Sequence, residues 1–395
     1  MFPHNNLSVI ALVAPWVRSA VAAVLALLFA WLPPLSTASV SATLGINMLW
    51  LPGDTPTLRE RFRKAHKLGI KELRLDWEWR QVEAKQGEFN WEKLDALVKT
   101  AHEEGVSLLP IVHYAPAWAL RSGRKADDVY ELAPREDAFT HFAKFMLESI
   151  RRYGPRGNAP FAFTPIKHWQ AWNEPNIRQF WGPKPNAAAF ARLMQAVKTT
   201  LAPVRNDVQI VHAGLSKVDI EFMWELWDAE PRHGDTFDVF AVHPYLYDGS
   251  DGIRSPDAID KDDSKAGPMG FIGSVKDSGY LAKIFNMQLF MALRGATGKP
   301  IWVTEIGYFV SKHRLGVSEQ GQADRMTKTI DFINQRLTHQ PFGLGPRALA
   351  ANVQRIYWFS LEDYPSPEGL GSFGVYRPDG AIRPAGETLR KYVQR

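Results

Sequence analysis

Eight short segments of mostly apolar residues recur along the chain, and stretches with a helical pattern separate them. Each segment is the length of a β-strand, and its apolar residues are nearly continuous. Strands of that kind are typical of parallel sheets, which are covered by other structure on both faces. The segments are residues 44–48, 70–76, 106–112, 166–172, 208–213, 237–242, 301–304 and 353–359.

The stretches between these strands carry apolar residues spaced by three and four positions, as Leu58, Phe62 and Ala65 do. That spacing places an apolar stripe on one face of a helix. Strands that alternate with helices in this way predict an α/β fold, here a (β/α)8 TIM barrel. We expect residues 43–395 to form this single catalytic domain, ending in a helix near Pro384 to Val393 and lacking an accessory β-sandwich.

Functional side chains of such barrels lie at the C-terminal ends of the strands. The chain places polar and aromatic residues at those positions, although a packed core would not require them there. They are Arg74 and Asp76 on the second strand, His113 and Tyr114 after the third, Asn173 and Glu174 after the fourth, His243 and Tyr245 after the sixth, Glu305 after the seventh, and Trp358 on the eighth.

Two glutamates stand out among these residues. Glu174 lies in an Asn-Glu-Pro sequence after one strand, and Glu305 lies in a Thr-Glu sequence after another. A lone glutamate at a strand end is usually a surface residue, but two at one barrel mouth can cleave a glycosidic bond. One carboxyl protonates the departing sugar oxygen, and the other attacks the anomeric carbon or activates water. Their environments must then hold the two pKa values apart.

These motifs resemble the clan of retaining (β/α)8 glycoside hydrolases. Within that clan, the run Trp-Asn-Glu-Pro-Asn at 172–176, with Phe180 and Trp181 close behind, is similar to glycoside hydrolase family 39. The family contains β-xylosidases, α-L-iduronidases and bacterial enzymes that act on exopolysaccharides, and the compact exopolysaccharide-processing type is the most similar. The resemblance covers most of the chain from Leu44 to its end.

The resemblance implies a role for each matching residue. Glu174 would be the general acid/base and Glu305 the nucleophile. Asn173 would bind the 2-hydroxyl of the sugar at the cleavage point, a contact that strengthens in the transition state. Arg74 and Tyr245 would hydrogen-bond Glu305, and a nearby guanidinium would keep that carboxylate ionised.

Four further residues would contact the substrate. The ring of Trp358 would form the floor of the subsite for the reacting sugar, while His113 and His243 would line it. Trp181 could be a sugar platform or a packing residue. The sequence after the nucleophile, Ile-Gly-Tyr at 306–308, does not resemble the xylosidases. We therefore expect cleavage within a polysaccharide, with an exo-acting β-glycosidase such as a β-xylosidase as the alternative.

Residues 1–42 have the layout of a secretory signal peptide. Arg18 precedes an apolar stretch, and small residues follow it, so cleavage is expected after Ala42 or Ala38. A second apolar stretch at 7–17 leaves retention as an N-terminal membrane anchor open. Either alternative predicts export, to the periplasm or the extracellular space.

The amino-acid composition and the net charge exclude several classes of function. The chain contains no cysteine, which excludes disulfides, zinc–thiolate sites and thiol nucleophiles. Its net charge is +5, without a basic run of the kind that follows nucleic acid. We expect a monomer that binds a polysaccharide or oligosaccharide, with no nucleic-acid partner and no cofactor.

Two other functions remain as alternatives. The chain could be a carbohydrate-binding barrel without catalysis, although both glutamates argue against that. It could also be a metal-dependent hydrolase with His113, His243 and Glu305 as ligands. No His-x-His or His-x-x-x-His pair occurs near a strand end, so we expect no metal site.

One long insertion lies between the sixth strand and its helix. Residues 247–279 are rich in Asp, Gly, Ser and Lys, and a loop of this length in a compact domain is usually functional or disordered. We expect it to border the substrate groove. Its aspartates lack the spacing and glycine turn of a calcium-binding EF-hand, so a solvated loop is the preferred interpretation.

Overall fold

The computed structural model describes residues 41–49, 54–120, 133–245, 280–313, 316–338, 351–365 and 371–394. Within these ranges, nine strands form one sheet in which the paired neighbours are parallel. The strands are β1 (Thr43–Met48), β2 (Glu72–Glu78), β3 (Ser107–His113), β4 (His168–Ala171), β5 (Gln209–Val211), β6 (Leu215–Ser216), β7 (Phe240–His243), β8 (Ile301–Ile306) and β9 (Val353–Trp358).

The sheet curls until its two ends meet. Its strand order is β5-β4-β3-β2-β1-β9-β8-β7-β6, so β1 pairs with both β2 and β9. The ends meet through a parallel bridge between Val211 and Val239, beside which the N–H of His212 donates to the carbonyl of Val239 at 2.8 Å. β5 and β6 are therefore two pieces of the fifth barrel strand. The predicted barrel is confirmed, with the fifth strand interrupted where the sequence predicts one run at 208–213.

Nine α-helices occur in the described part of the chain, and a π-helical turn, Phe332–Thr338, follows the eighth. The helices are α1 (Thr55–Lys67), α2 (Trp79–Val82), α3 (Glu92–Glu103), α4 (Phe139–Tyr153), α5 (Ala187–Thr200), α6 (Ile220–Ala229), α7 (Tyr280–Leu293), α8 (Glu319–Asp331) and α9 (Pro384–Val393). The expected C-terminal helix is α9.

The helices pack through the apolar stripes that the sequence predicts. In α1, Leu58, Phe62 and Ala65 are buried, and the helix begins where the side chain of Asp54 accepts a hydrogen bond from the N–H of Thr57. Such a cap satisfies one of the N–H groups that the first turn leaves without an intrahelical partner. Asp219 caps α6 in the same way, and the helix begins at the next residue, a short turn after β6.

Alternation along β2 decides which side chains reach the barrel mouth. Leu73, Leu75 and Trp77 belong to the core between strands and helices, and the ring of Trp77 contacts that of Tyr153 edge to face at 5.4 Å. Successive side chains of a strand point to opposite faces. Arg74 and Asp76, the residues between them, therefore point into the barrel.

Side chains fill the interior of the barrel. A separate buried cluster occupies it: Leu109, Val211, Val239, Ala241, Trp302 and Tyr357. Arg355, which is paired with Glu72 at the start of β2, lies with its guanidinium carbon 4.4 Å from the centre of the Trp302 ring. The interior is thus a packed core and not a channel, so a ligand of the barrel must bind at an end.

Two predicted features fall outside the described residues. They are the insertion at 247–279 and the leader at 1–42, of which only Ser41 and Ala42 are described. Among the residues that the structure does describe, no helix is both long enough and apolar enough to cross a membrane.

Candidate active site

Arg74 is the centre of a hydrogen-bond network at the C-terminal mouth of the barrel. Its side chain is 1% exposed, and its guanidinium donates to four side-chain oxygens from different parts of the barrel. Since the guanidinium is a rigid planar fork of donors, four acceptors hold it in one orientation. The acceptors are Asn47 Oδ1 at 2.7 Å, Gln170 Oε1 at 2.9 Å, Asn173 Oδ1 at 2.8 Å and Glu305 Oε1 at 2.7 Å.

Glu305 is held by two of the residues that the sequence assigns to it. Oε1 accepts from Arg74, and Oε2 accepts from the hydroxyl of Tyr245 at 3.1 Å. Burial raises the pKa of Glu305, but the electrostatic influence of His243 and Arg74, with the hydrogen bonds from Arg74 and Tyr245, lowers it by more. The pKa of Glu305 therefore lies below its ordinary value, and the carboxyl is ionised near neutral pH.

A strained turn follows β4 and directs Glu174 into the site. Trp172 and Glu174 have positive φ angles of 73° and 39°, a region that residues with side chains rarely adopt. Each such residue costs roughly 1–3 kcal/mol and persists only where its surroundings fix it. Here the N–H of Trp172 donates to the carbonyl of Val112 at 2.9 Å, and that of Glu174 donates to the carbonyl of Gly214 at 3.0 Å.

His243 lies directly behind the two carboxylates. Its Nδ1 is 2.8 Å from Glu174 Oε1, while its Nε2 is 3.0 Å from Thr304 Oγ1 and 3.7 Å from Glu305 Oε1. The ring is fully buried and lies close to Gly214, where a Cβ would come within 2.0 Å of Nε2. Only glycine at position 214 leaves room for this imidazole.

Glu174, His243 and Glu305 also have the spacing of a possible metal site, because one potential ligand atom of each lies within 4.8 Å of the others. The contacts do not fit a cation. Both ring nitrogens of His243 already have hydrogen-bond partners, and a cation on Glu305 would lie beside the guanidinium of Arg74. His113, a ligand in the metal alternative, is not part of the cluster. The hydrogen-bond network alone accounts for the arrangement.

A second polar pair reaches the same cavity from β2 and β3. Nε2 of His113 lies 2.8 Å from Asp76 Oδ1, and the His113 ring lies against that of Tyr114, with 3.6 Å between centroids. Burial and the neighbouring charge of Asp76 raise the pKa of Tyr114 well above its ordinary value. The Tyr114 hydroxyl therefore keeps its proton and remains a hydrogen-bond donor for a polar ligand.

These residues surround a cavity of about 460 Å³. Two aromatic groups border it, one after β3 and β4 and one after β9. Tyr114 and Phe180 form one group, with ring centroids 6.3 Å apart. Phe359, Tyr364 and Phe373 form the other, in which Phe359 lies 5.3 Å from Phe373 and 5.8 Å from Tyr364. Both carboxylates, Arg74, Asp76, His113, Asn173 and Tyr245 line the same cavity.

Trp358 does not line the cavity, contrary to the expectation that it forms the floor. The residue is 1% exposed, and its ring lies 6.0 Å from that of Tyr308. Phe359, the next residue, lines the cavity instead. Because side chains alternate at a strand end, an offset of one residue exchanges a ring in the core for a ring in the site.

Two other expectations need correction. Trp181 is not a platform in this cavity, because its ring packs edge to face against Trp172 at 5.7 Å and Phe190 at 5.5 Å. It is 4% exposed. His243 does not line the cavity either, because it lies beneath both carboxylates. The remaining predicted residues are brought together as expected.

The structure also adds residues that sequence reasoning missed. Asn47 and Gln170 hold Arg74, and Thr304 holds His243. The signal for them was a polar side chain within an otherwise apolar barrel strand, which needs a partner when it is buried. Lys217, which also lines the cavity, carried no such signal.

No protein-family model and no curated protein sequence matches the chain. Solved structures do match. A family 39 glycoside hydrolase from the gut symbiont Bacteroides cellulosilyticus WH2 is 18% identical, with a TM-score of 0.61 over 89% of this chain and 64% of that one. A monomeric β-xylosidase from Caulobacter crescentus CB15 is 15% identical, with a TM-score of 0.60 over 90% of this chain and 69% of that one.

A family 5, subfamily 18 glycoside hydrolase from Bifidobacterium longum subsp. infantis is 15% identical, with a TM-score of 0.59 over 90% of this chain and 79% of that one. The chain shares the fold of these glycoside hydrolases. Family 39 structures are among the neighbours, as the sequence resemblance predicts. The chain spans under two thirds of the family 39 structure from Bacteroides, and at these identities the likeness concerns the fold alone.

Proposed function

We propose that the chain is a retaining O-glycoside hydrolase that cuts within an extracellular polysaccharide. Glu174 is the acid/base and Glu305 the nucleophile. The observation that carries the proposal is their proximity, since one oxygen of Glu174 and one oxygen of Glu305 lie within 4.8 Å of each other, which is compatible with the closer of the two known geometries. Retaining enzymes hold the two carboxyls roughly 5–5.5 Å apart, whereas inverting enzymes need about 6.5–9.5 Å to admit a water.

Glu305 has the environment of a nucleophile. Its lowered pKa keeps it ionised, and Arg74 and Tyr245 fix both of its oxygens. In the first step, a carboxylate oxygen bonds to the anomeric carbon while the glycosidic bond breaks, and the departing oxygen takes the proton of Glu174. In the second step, Glu174 removes a proton from water, and the water oxygen displaces Glu305 from the sugar.

Asn173 is oriented to bind the sugar that reacts. Its Oδ1 accepts from Arg74, so its amide nitrogen is the group left to meet a substrate hydroxyl. A hydrogen bond to the 2-hydroxyl strengthens in the transition state and lowers the barrier. Arg74 thereby positions both the nucleophile and this amide.

His243 supports the exchange of roles at Glu174. The 2.8 Å contact between its Nδ1 and Oε1 of Glu174 fixes that carboxyl in both steps. Thr304 holds the other ring nitrogen and so fixes the ring plane.

The two aromatic groups on the rim favour cleavage within a chain. Sugar rings stack on aromatic faces, and the groups around Tyr114 and Phe359 follow different barrel strands, β3 and β9. A substrate that contacts both would extend beyond the reacting sugar in both directions. The alternative, an exo-acting β-glycosidase such as a β-xylosidase, would need only one of them.

The test compares the wild type with Glu174→Gln and Glu305→Gln on neutral and acidic bacterial and plant polysaccharides. Product sizes are read by mass spectrometry, and the configuration of the first product is read by proton NMR. We expect oligosaccharides with retained configuration from the wild type and almost no product from either variant. Glu148→Gln is the matched control, because Glu148 lies on α4 and pairs with Arg151 outside the cavity.

Four other experimental outcomes would each overturn part of the proposal. Variants as active as the wild type would show that these glutamates are not the catalytic pair. A product of inverted configuration would overturn double displacement. Release of monosaccharides alone would establish the exo-acting alternative, and binding of polymer without any cleavage would establish the silent carbohydrate-binding barrel.

We also propose that the protein is exported. One contact near the leader favours one of the two predicted signal-peptide cleavage sites. Ala42 is buried, and its N–H donates to Asn334 Oδ1 at 3.0 Å. Cleavage after Ala42 would remove this contact, while cleavage after Ala38 preserves it. N-terminal sequencing of exported protein should therefore begin at Ser39. An uncleaved chain in the membrane fraction would establish the anchor instead.

A further inference from the structure

Asp76 is a buried carboxylate at the candidate active site that no step of the proposed reaction uses. It follows Arg74 by two positions on β2, so both side chains point to the same face of the strand. Asp76 lies roughly 6.5 Å farther along the strand, toward the mouth of the barrel. The residue is 8% exposed and lines the same cavity as the two glutamates. A charge buried at this position needs polar partners.

One carboxylate oxygen of Asp76 is left without a partner. Oδ1 lies 2.8 Å from Nε2 of His113, whose ring is buried. Oδ2 makes no hydrogen bond and no ion pair with the residues that the structure describes. The guanidinium of Arg74 donates to four other oxygens and not to Asp76. Oδ2 is therefore an acceptor that a ligand in the cavity can use.

His113 fixes the carboxylate of Asp76. The Nδ1 atom of its ring is buried and has no hydrogen-bond partner. With its hydrogen on Nε2, the ring donates to Asp76, and only an acceptor atom is left unpaired. A hydrogen on Nδ1 would be a buried N–H without an acceptor, which is costly, so we assign the hydrogen to Nε2. The ring also lies against Tyr114 and Phe180, with centroids 3.6 Å and 6.4 Å away, and these contacts hold it in place.

Tyr114 places a hydrogen-bond donor close to this acceptor. Its φ angle is 58°, a conformation that tyrosine rarely adopts, and its carbonyl accepts from the N–H of Arg80 at 2.9 Å. The Tyr114 hydroxyl has no hydrogen-bond partner within the described ranges. Burial and, next, the charge of Asp76 raise the pKa of Tyr114, so the two side chains are near one another. The β2–β3 side of the cavity thus presents one acceptor and one donor.

We propose that Asp76 and Tyr114 bind a hydroxyl of the sugar on the β2–β3 side of the cavity, and that this sugar is neutral and unsubstituted there. The inference rests on the proposed glycosidase function and names its substrate class. A hydroxyl can donate to Asp76 and accept from Tyr114 at once. A carboxylate or a sulfate ester cannot donate, and its charge would oppose that of Asp76. Asp76 is therefore a specificity-determining residue.

Kinetics on matched substrates test the specificity. Neutral oligosaccharides are paired with uronic-acid oligosaccharides of the same backbone and linkage, such as cello-oligosaccharides with oligoglucuronates. For the wild type we expect at least a tenfold higher kcat/KM on the neutral member. Asp76→Asn keeps the size of the side chain and removes its charge, so this preference should shrink at least tenfold, with the loss on the neutral member mainly in KM. Asp324→Asn, which changes an exposed aspartate on α8, is the control.

Two kinetic results would overturn the inference. One is a wild type that cleaves the uronic-acid member of a pair as well as the neutral member. The other is an Asp76→Asn variant that keeps the full preference for the neutral member. In either case Glu174→Gln and Glu305→Gln would still be inactive, so the proposed hydrolysis would stand without this specificity.

Binding to Glu305→Gln separates recognition from catalysis. Calorimetric titration with the same pairs should show tighter binding of the neutral ligands, and the double variant Glu305→Gln/Asp76→Asn should lose this preference. A preference for neutral ligands alongside a wild type that cleaves no polymer would refute hydrolysis and preserve the hydroxyl site. Equal binding of both members, or binding of no neutral ligand, would refute the site.

Deoxygenated ligands distinguish a binding role from a structural role. In neutral oligosaccharides, one hydroxyl at a time is replaced by hydrogen, and replacement of the hydroxyl that meets Asp76 should weaken binding to Glu305→Gln at least tenfold. The same replacement should have little further effect in Glu305→Gln/Asp76→Ala, because the hydroxyl has already lost its acceptor. If every replacement weakens binding equally in both proteins, Asp76 serves only to hold His113, and the inference is wrong.

Discussion

The Nδ1 atom of His243 lies 2.8 Å from Oε1 of Glu174, in a fully buried position. The other ring nitrogen is 3.7 Å from Oε1 of Glu305. One imidazole therefore contacts both carboxylates of the proposed catalytic pair, and a change at His243 must alter the surroundings of both.

Replacing His243 should shift the acid limb of the pH profile. Besides burial, which raises the pKa of Glu305, the charge of His243 is the leading influence and lowers it. In His243→Gln the pKa of Glu305 rises, so the nucleophile is protonated at a higher pH. We expect the acid limb of kcat/KM to move to higher pH and kcat/KM at the optimum to fall at least about tenfold, or ~1.4 kcal/mol. Tyr245→Phe should shift the limb in the same direction by less.

An acid limb that stays in place in His243→Gln would contradict this account of Glu305. Circular dichroism and the melting temperature of each variant provide the control, because a loss of activity through unfolding would not move a pH limb. Tyr245→Phe removes only the hydroxyl that donates to Glu305 Oε2.

Gly214→Ala should lower activity although the residue touches no substrate. A Cβ at this position would lie within 2.0 Å of His243 Nε2, so the ring must move away from Thr304 and Glu174. We expect a loss of kcat/KM of the same order as in His243→Gln. In the double variant Gly214→Ala/His243→Gln, the two losses should be far from additive, since both act on one ring. Additive losses would show that Gly214 acts elsewhere.

The sequence predicted most of the barrel because its strands are buried on both faces and read as apolar runs. Knowing the fold, one could also place Glu174, Glu305, Arg74 and Tyr245 at the same mouth, because all follow or end strands of one parallel sheet. The structure brings them together. The pattern of apolar residues was sufficient to predict which residues lie near the C-terminal end of each strand.

Periodicity was insufficient where one residue of offset mattered. Trp358 and Phe359 differ by one position, and only the observed register places Phe359 in the cavity and Trp358 in the core. Gly214 supports His243 through a close approach that no local pattern encodes. Lys217 reaches the cavity through a left-handed backbone conformation that lysine disfavours. Residue preferences alone therefore would not have predicted its position.

Arg383 should be essential for the stability of the C-terminal segment. This residue, 5% exposed, precedes α9 and donates from two nitrogens to both oxygens of Asp363, at 2.7 Å each, and from a third to Glu319 at 3.2 Å. Arg383→Met would leave the half-buried Asp363 without its cation. We expect a loss of roughly 3 kcal/mol in the free energy of unfolding, measured with urea. Arg383→Lys should lose less, and an unchanged urea midpoint in Arg383→Met would contradict the prediction.

A buried histidine pair should make the fold sensitive to acid. The Nε2 atoms of His212 and His233 lie 3.1 Å apart, and Nδ1 of His212 donates to the carbonyl of Ala213 at 2.8 Å. Both rings are fully buried. Burial lowers the pKa of His212 to about 4, although the bond to Ala213 opposes the shift, and it lowers that of His233 well below its ordinary value. Both rings are therefore neutral in the folded protein at neutral pH.

The direction of the pH effect follows from the unfolded chain. There each histidine takes up a proton below about pH 6.5, whereas the folded protein resists protonation down to about pH 4 for His212. The unfolded state binds more protons in that window, so stability is complete above it and falls as the pH decreases. From His212 alone, the free energy of unfolding should decrease by roughly 2–3 kcal/mol between about pH 7 and pH 4.5.

Urea unfolding at the two pH values measures this loss, and the double variant His212→Phe/His233→Phe should lose much less than the wild type over the same range. His66→Gln is the matched control, because His66 is exposed on α1 and should leave the pH dependence unchanged. Equal acid sensitivity in the double variant and the wild type would place the acid-labile groups outside this pair. A reduced sensitivity would show that two core imidazoles beside the fifth barrel strand set the lower pH limit of the folded enzyme.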